Sequence, residues 1–237
     1  MAGDFFGYDL TFPGMKPIFL PFQTNGSNMV RSSFASSMLH GFSRREIVTA
    51  NVDFCYPSGM LNLLATAFLK STCDRMFIVD GDIGFSRNEV DMLLEHEEEP
   101  LVFGYYRKKK SDFEFALESF DGGMPKQYGK FWRVKSAARG FSVWRRDVFD
   151  QLRDDCAPYY CPLMKCETFE YFKCRTGGHS EDFDFCDRWR ALGNHVLVDP
   201  RVAVTHFGDF AFSIPRATDP EPSVKDECRH GTPFRYD

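Results

Sequence analysis

Apolar residues in the first half of the chain alternate between short continuous runs and spacings of three or four residues. The continuous runs predict strands at 17–22, 47–50, 76–79 and 101–106. The spaced residues predict helices at 29–39 and 60–69, with another helix before the last strand. Because continuous apolar runs suit strands covered on both faces, this order predicts a mostly parallel sheet with helices packed against it.

The helix that follows the third predicted strand has a clear start signal. Ser86 and Glu89 have the residue types and spacing of a capping box, in which each side chain accepts a backbone hydrogen bond from the other residue. Val90, Leu93 and Leu94 then fall on one helical face, which we expect to be buried.

The second half of the chain has a weaker pattern. Strands are predicted at 140–144, 196–198 and 202–204, and a loop at 156–165, which contains two prolines. A helix is predicted from Ser180, with Phe185, Trp189 and Leu192 on its buried face and Gly193 at its end. A length of 237 residues suits one α/β domain, so we predict a domain over 1–215 and a tail over 216–237.

Composition and charge narrow the classes of protein to consider. Hydrophobic residues make up 43% and charged residues 27%, as in globular domains, and the formal charge of -5 argues against a broad nucleic-acid-binding surface. Basic spots at Arg44-Arg45, 107–110 and Arg145-Arg146 keep a DNA substrate open. No secretory leader and no membrane-length apolar run is evident, so we expect a cytoplasmic protein without a membrane span.

Cysteine is frequent, with eight residues, and five of them lie between 156 and 186. Their spacing contains no Cys-x-x-Cys, so the pattern favours free or buried thiols over a structural zinc site.

Two carboxylates follow the third predicted strand. Asp80 and Asp82 flank Gly81, and in an extended segment their side chains point the same way. Two hard oxygen donors at a strand end suit a divalent cation and the phosphates that it carries. The alternative is that the two residues only cap and solvate a turn; for Asp-x-Asp after four apolar residues we favour the cation.

Two further candidates lie later in the chain. Glu181 and Asp182 fall at a predicted helix N-terminus, where acidic residues are common for electrostatic reasons alone. His206 follows the last predicted strand, where a single histidine is more often structural than a ligand. Together and in this order, the acidic strand end, the Glu-Asp helix start and the histidine indicate a functional site far more specifically than any one of them does.

Five segments together resemble the GT-A-fold glycosyltransferases of the small type common in phages and bacteria. They are VDGDIGF (79–85), GYYRK (104–108), RGFSVWRR (139–146), SEDFDFC (180–186) and HFG (206–208). The resemblance implies a Rossmann-like α/β domain with a mostly parallel central sheet, flanking helices and a small second antiparallel sheet. It also implies a nucleotide-sugar-binding half at about 17–110 and an acceptor-binding half at 111–215.

The same resemblance implies a role for each candidate residue. Asp82 and His206 would bind Mn²⁺ or Mg²⁺, with Asp80 contacting the metal or the ribose of a nucleotide diphosphate sugar, UDP-sugar favoured. Asp182 would be the general base of an inverting enzyme, with Glu181 orienting hydroxyl groups. Further donor contacts are expected from Gly81, Thr24, Asn62 and Lys108 or Lys109.

The chain also departs from the family. Many relatives have an Arg-Asn pair before the Asp-x-Asp strand, where this chain has Leu61-Asn62, so the diphosphate needs a cation from elsewhere. The cysteine-rich segment 156–174 has no counterpart and is the candidate for acceptor specificity.

Two other function classes remain open on sequence. A non-catalytic nucleotide-sugar binder would use the same fold, and a haloacid-dehalogenase-type phosphotransferase would use Asp80 as a nucleophile. The acceptor is also open, between a glycan, lipid-linked or protein hydroxyl and a hydroxymethylated base of phage DNA, and so is inversion against retention.

Overall fold

The computed structural model describes residues 17–24, 32–43, 47–53, 57–110, 112–162, 164–175, 180–208 and 211–214. Its helices are α1 (Ser32–Gly41), α2 (Pro57–Lys70), α3 (Arg87–Leu94), α4 (Arg146–Leu152), a 3-10 helix (Arg153–Asp155) and α5 (Glu181–Ala191). Its strands are β1 (Ile18–Thr24), β2 (Ile47–Asp53), β3 (Arg75–Val79), β4 (Ile83–Gly84), β5 (Leu101–Tyr105), β6 (Leu117–Glu118), β7 (Lys126–Tyr128), β8 (Phe131–Val134), β9 (Ser136–Ala137), β10 (Phe141–Arg145), β11 (Pro158–Cys161), β12 (Cys166–Phe169), β13 (Val196–Ala203), β14 (Thr205–Phe207) and β15 (Ala211–Phe212).

A central sheet of eight strands organises the domain, in the order β2-β1-β3-β10-β5-β13-β8-β7. β1 pairs in parallel with β2 and β3, and β5 pairs in parallel with β13. β10 runs antiparallel to both of its neighbours, β3 and β5, and so joins the two parallel groups. The predicted fold class, an α/β domain with a mostly parallel central sheet flanked by helices, is confirmed.

Small antiparallel sheets accompany the central one, as predicted. β4 pairs with β14, and β14 with β15, so that His206 lies opposite Ile83. β11, which forms a hairpin with β12, lies within the region 156–165 that the sequence predicted as a loop, so that prediction was wrong for 158–161. Pro158 is compatible with the hairpin because it is the first residue of its strand, where a missing N–H group is tolerated.

Apolar side chains cover both faces of the central sheet, which explains the continuous runs in the sequence. In β3, Met76 and Ile78 belong to one buried cluster, whereas Phe77 and Val79 belong to the other. Successive residues of a strand point to opposite faces, so a strand buried on both sides needs apolar residues at every position.

The predicted signals for α3 and α5 differ in their outcome. The Ser86–Glu89 capping box is present at the start of α3, and Val90 is buried below it. In α5, Phe185 is buried, but Leu192 is 47% exposed, contrary to expectation, because the helix ends at Ala191 and Leu192 is its C-cap. None of the described helices is long and apolar enough to cross a bilayer.

The pair of short strands predicted at 196–198 and 202–204 is a single strand, β13. Its pairing with β5 is interrupted between Val198 and Ala203, which explains why the apolar pattern breaks there.

Candidate active site

The Asp80-Gly81-Asp82 turn lies at the carboxyl end of β3, as predicted. The backbone N–H of Asp80 donates to the carbonyl of Gly140 at 2.9 Å, and the N–H of Ile83 donates to the carbonyl of Asp80 at 3.0 Å. The turn is therefore fixed both by its own closing hydrogen bond and by the segment that precedes β10.

Asp82 faces two basic side chains. Its Oδ2 atom contacts Lys109 Nζ and lies 3.7 Å from His206 Nε2. Burial raises the pKa of Asp82, but His206 and Lys109 outweigh it and hold that pKa at about 2. Asp82 is therefore a stable anion that carries negative charge to the strand end.

His206 is oriented by the backbone of a neighbouring segment. Its Nδ1 lies 2.9 Å from the carbonyl of Arg107, and its ring packs edge-on against Tyr106 with the centroids 4.9 Å apart. Because a carbonyl only accepts hydrogen bonds, Nδ1 carries a proton, and Nε2 is the ring nitrogen that faces Asp82. A histidine oriented in this way offers Nε2 as its ligand atom to a metal ion.

Three consecutive lysines follow Arg107, and they point in different directions. Lys108 and Lys110 both contact Glu114, at 3.1 and 3.7 Å, whereas Lys109 contacts Asp82. Of the two lysines predicted near the donor, the structure brings Lys109 to the acidic turn and turns Lys108 away from it.

A buried guanidinium joins the two acidic motifs. Arg139 is only 5% exposed and contacts Asp80, Asp182 at 3.1 Å from its Nε, and Glu181 at 3.6 Å. Burial alone would lower the pKa of Arg139, but the three carboxylates raise it above its ordinary value, so the side chain stays charged. The structure thus gathers Asp80, Glu181 and Asp182 around one cation.

Asp182 lies in the first turn of α5, after the N-cap Ser180, whose hydroxyl accepts the Phe183 N–H at 3.4 Å. Burial raises the pKa of Asp182 to about 7, and the charges of Glu181 and Asp80 act in the same direction against the lowering effect of Arg139. Its Oδ1 atom is buried and has no well-directed hydrogen bond within the described residues. A carboxylate of this kind takes up and releases a proton near neutral pH.

Gly140 is required by close packing at the same place. Its N–H donates to the Tyr106 hydroxyl at 3.1 Å, and an added Cβ would lie 2.7 Å from Asp80 Oδ2 and nearer still to that hydroxyl. Burial, together with Asp80 and Asp182, raises the pKa of Tyr106 well above its ordinary value, so the phenol stays protonated.

One predicted donor contact, Asn62, lies elsewhere. Asn62 is 4% exposed, and its side-chain amide both donates to and accepts from the backbone of Phe172, at 2.8 Å each. That side chain ties α2 to the segment after β12 and does not reach the acidic group. Thr24 ends β1, but its side chain lies outside the described residues.

The basic spots considered for DNA have mostly structural partners. Arg146 donates to backbone carbonyls at and beyond the end of α2, among them Leu69 at 2.8 Å and Cys73 at 2.7 Å. Arg145 contacts Asp147 and the carbonyl of Glu98. Arg44-Arg45 lies outside the described residues, as does the tail 216–237.

A second histidine–carboxylate cluster lies between α3 and β13. Within the described ranges, Glu95, His96 and Asp199 bring ligand atoms within 4.8 Å of one another, and no cysteine takes part in such a group. The guanidinium of Arg201 already binds both Asp199 and Glu95. Because a side-chain cation fills this cluster, it does not fit a metal ion without rearrangement.

Sequence reasoning missed the role of Arg139 and of Tyr106. Arg139 lies within a segment of small residues, between Ala138 and Gly140, directly before an apolar strand. A charged residue in that position is expected to be buried with partners. The signal identifies a buried cation but does not say which carboxylates surround it.

Comparisons with known proteins give similarity in fold only. No protein-family model matches the chain, and no curated protein matches it. The structure titled A197 from STIV aligns over 89% of this chain and 100% of its own, with 15% identity and a TM-score of 0.53.

Two glycosyltransferase structures are also similar. GalNAc-T7, crystallised with UDP, GalNAc and Mn²⁺, has 12% identity and a TM-score of 0.48, and S. aureus TarS 1-349 has 11% and 0.45. The alignments cover 80% and 78% of this chain, but only 43% and 58% of those chains. At these TM-scores and identities, neither similarity carries information about activity.

Proposed function

We propose that this protein is a metal-dependent glycosyltransferase that moves a sugar from a nucleoside diphosphate sugar, UDP-sugar favoured, to an acceptor hydroxyl. One observation carries the proposal. The Asp-x-Asp turn and the Glu-Asp helix start, far apart in sequence, meet around the single guanidinium of Arg139. This contact supports the assignment of a cation site and a base to one centre, as transfer from a diphosphate to a hydroxyl requires.

Asp82 and His206 fit a divalent ion, Mn²⁺ or Mg²⁺. One provides a carboxylate held as an anion, and the other an imidazole whose Nε2 lies 3.7 Å from that carboxylate. When bound, such an ion stabilises the negative charge on a departing diphosphate. Asp80, which contacts Arg139, and Gly81, which lacks a side chain, are assigned to contacts with ribose or sugar hydroxyls beside the turn.

Asp182 is the residue we assign to proton transfer in an inverting reaction. Its raised pKa keeps it basic enough to accept a proton from an acceptor hydroxyl as the oxygen attacks the anomeric carbon. Arg139 holds the carboxylate in place, and Glu181 lies beside it to orient hydroxyl groups. The nucleotide-sugar-binding half is assigned to about 17–110 and the acceptor-binding half to 111–215.

For the acceptor we favour a hydroxyl of a glycan, lipid-linked sugar or protein over a hydroxymethylated DNA base. Arg145 and Arg146, two of the residues considered for DNA backbone contacts, are engaged with carbonyls and with Asp147. A DNA-binding face needs several basic side chains that are free to reach phosphates. Gel retardation at low salt is the direct test, and binding of duplex DNA there would reverse the preference.

The test of the function is donor turnover. Purified protein is incubated with Mn²⁺ and a panel of nucleotide sugars, and release of nucleoside diphosphate is measured with and without EDTA. We expect release with one donor, its loss with EDTA, and its loss in Asp82→Asn. Asp121→Asn, a change at an exposed Asp paired with Lys126, is the matched control and should behave as wild type.

Two results would redirect the assignment. Donor binding without turnover, for any acceptor class tested, would indicate a nucleotide-sugar binder. A phosphoenzyme trapped at Asp80 would indicate a phosphotransferase with Asp80 as its nucleophile. If no nucleotide sugar binds and Asp82→Asn leaves Mn²⁺ affinity unchanged, the proposed function is wrong.

A further inference from the structure

One oxygen atom of the acidic turn serves two different basic groups. Asp82 Oδ2 contacts Lys109 Nζ and is also the atom that lies 3.7 Å from His206 Nε2. A cation held between Asp82 and His206 would approach the same oxygen. Lys109 therefore occupies part of the position that the divalent ion of the proposed function would need.

The two neighbours of Lys109 have a different partner. Lys108 and Lys110 both contact Glu114, and the N–H of Lys108 donates to the Glu114 carbonyl at 2.8 Å. The chain bends here, with the N–H of Lys110 donating to the Lys108 carbonyl at 2.9 Å, and only the side chain of Lys109 reaches Asp82. Of the three lysines, Lys109 is thus the one in contact with the acidic turn.

The two cations of the acidic site differ in their freedom to move. Arg139 is 5% exposed and contacts three carboxylates, so its guanidinium is fixed in the interior. The side chain of Lys109 is 36% exposed and touches one carboxylate at the end of a flexible four-carbon stem. An exchange of counter-ions at this site would involve Lys109 and leave Arg139 in place.

We propose that Lys109 is an exchangeable counter-ion. It neutralises Asp82 while no divalent cation is bound, and moves to the phosphate oxygens of the nucleoside diphosphate when a cation takes over Asp82. The inference rests on the proposed function and adds that binding of the metal ion and binding of the nucleotide are coupled. A metal ion alone has to displace Lys109, whereas in the presence of nucleotide the displaced ammonium gains a new anionic partner, so each ligand promotes binding of the other.

The experiment compares Lys109→Met with Lys108→Met, because each removes one positive charge from the same segment. Binding of Mn²⁺ alone is measured by the electron paramagnetic resonance signal of free Mn²⁺, and then again in saturating UDP. We expect Lys109→Met to bind Mn²⁺ alone about five- to tenfold more tightly than Lys108→Met, the scale of one charge-assisted, partly exposed contact. With UDP, that advantage should disappear or reverse.

The outcomes separate this inference from the function on which it rests. Equal Mn²⁺ affinity in the two variants, or an unchanged enhancement of Mn²⁺ binding by UDP in Lys109→Met, overturns the exchange, and donor turnover by the wild-type protein would still support the transferase. If Asp82→Asn does not weaken Mn²⁺ binding in the wild-type or the Lys109→Met background, both the metal site and the exchange are wrong.

Discussion

Two clusters of this protein combine carboxylates with basic side chains, and they differ in how fully the carboxylates are satisfied. Asp199 receives hydrogen bonds from His96 at 2.7 Å and from Arg201, through its Nε at 3.0 Å and its backbone N–H at 2.9 Å. In the active-site candidate, Arg139 is shared among three carboxylates, and Asp182 keeps a buried oxygen without a well-directed donor.

In line with this difference, the pKa of Asp199 is lowered and that of Asp182 is raised. Burial raises the pKa of Asp199, but the donors from His96 and Arg201 outweigh it and hold that pKa below its ordinary value. Burial raises the pKa of Asp182 to about 7, and Arg139 does not offset it. A fully satisfied carboxylate stabilises the fold, whereas a poorly satisfied one is available for proton transfer, at some cost in stability. Proximity of ligand atoms alone selects the cluster that Arg201 already fills, and not the proposed active site.

The largest expected effect concerns Asp182. We expect Asp182→Asn to lower the rate of glycosyl transfer by about 10²- to 10⁴-fold, the usual contribution of a general base. In the wild-type protein, kcat/KM should fall about tenfold per pH unit as the pH drops below about 7, because protonation removes the base. The variant should lack that dependence.

Asp182→Asn should lose activity but should not lose stability. A folded-state pKa above the ordinary value near 4 means that ionised Asp182 destabilises the fold, fully so above pH 7 and not at all below pH 4. Asp182→Asn should therefore be at least as stable as wild type at pH 8 in urea unfolding. Asp187→Asn, a change on the same helix, is the control, and a normal rate in Asp182→Asn would remove Asp182 from the mechanism.

The second prediction removes the shared cation. Arg139→Met leaves Asp80, Glu181 and Asp182 without their common partner, and breaking a buried ion pair from one side costs about 3–5 kcal/mol. We expect a loss of that size in the free energy of unfolding by urea. Arg87→Met, at an exposed pair with Asp91, should stay within about 0.5 kcal/mol of wild type, and an equally small loss for Arg139→Met would mean that the carboxylates do not depend on it.

The smallest effect tests the satisfied cluster. Asp199→Ala leaves the buried Nε2 donor of His96 without its acceptor, while Arg201 keeps its contact with Glu95, and the lost hydrogen bond costs about 1–3 kcal/mol. Because the folded-state pKa of Asp199 is lowered, its contribution is present above about pH 4 and is lost as the pH falls toward the folded-state value. The difference from wild type should shrink below pH 4, while kcat of the remaining folded protein is unchanged.

Asp150→Asn is the comparison for this change, since it alters an exposed pair with Arg153. If Asp199→Ala abolishes transfer without loss of stability, then the two clusters have been assigned the wrong way round.

Sequence patterns predicted much of the fold, because β3 and β5 are buried on both faces and the start of α3 is set by a local capping box. Sequence patterns failed where strand pairing or a long-range side-chain contact decides the structure. The hairpin of β11 and β12 has no continuous apolar run, and it forms because its strands pair with each other. Long-range partners such as Phe172 for Asn62 leave no trace in local spacing.

The site followed the same division. Asp82 could be named from its position at a strand end, since the ends of strands meet in α/β folds, whereas the role of His206 came from the family resemblance. The partners of the three lysines at 108–110 could not be predicted, because they depend on where Glu114 folds back. Arg139 was named only as part of the segment 139–146, with no role of its own.

The position of β10 determines when the site is assembled. This strand separates β3 from β5, yet it follows both in the chain, and Arg139 comes 59 residues after the Asp80 that it contacts. During synthesis, β3 therefore emerges from the ribosome well before β10, the strand that pairs with it. Closing the long loop between them is slow. The acidic turn is synthesised before the segment that contains Arg139, and its contacts are complete only after that segment has folded. Residues 17–110 alone should therefore not form the binding unit that the Asp-x-Asp motif suggests.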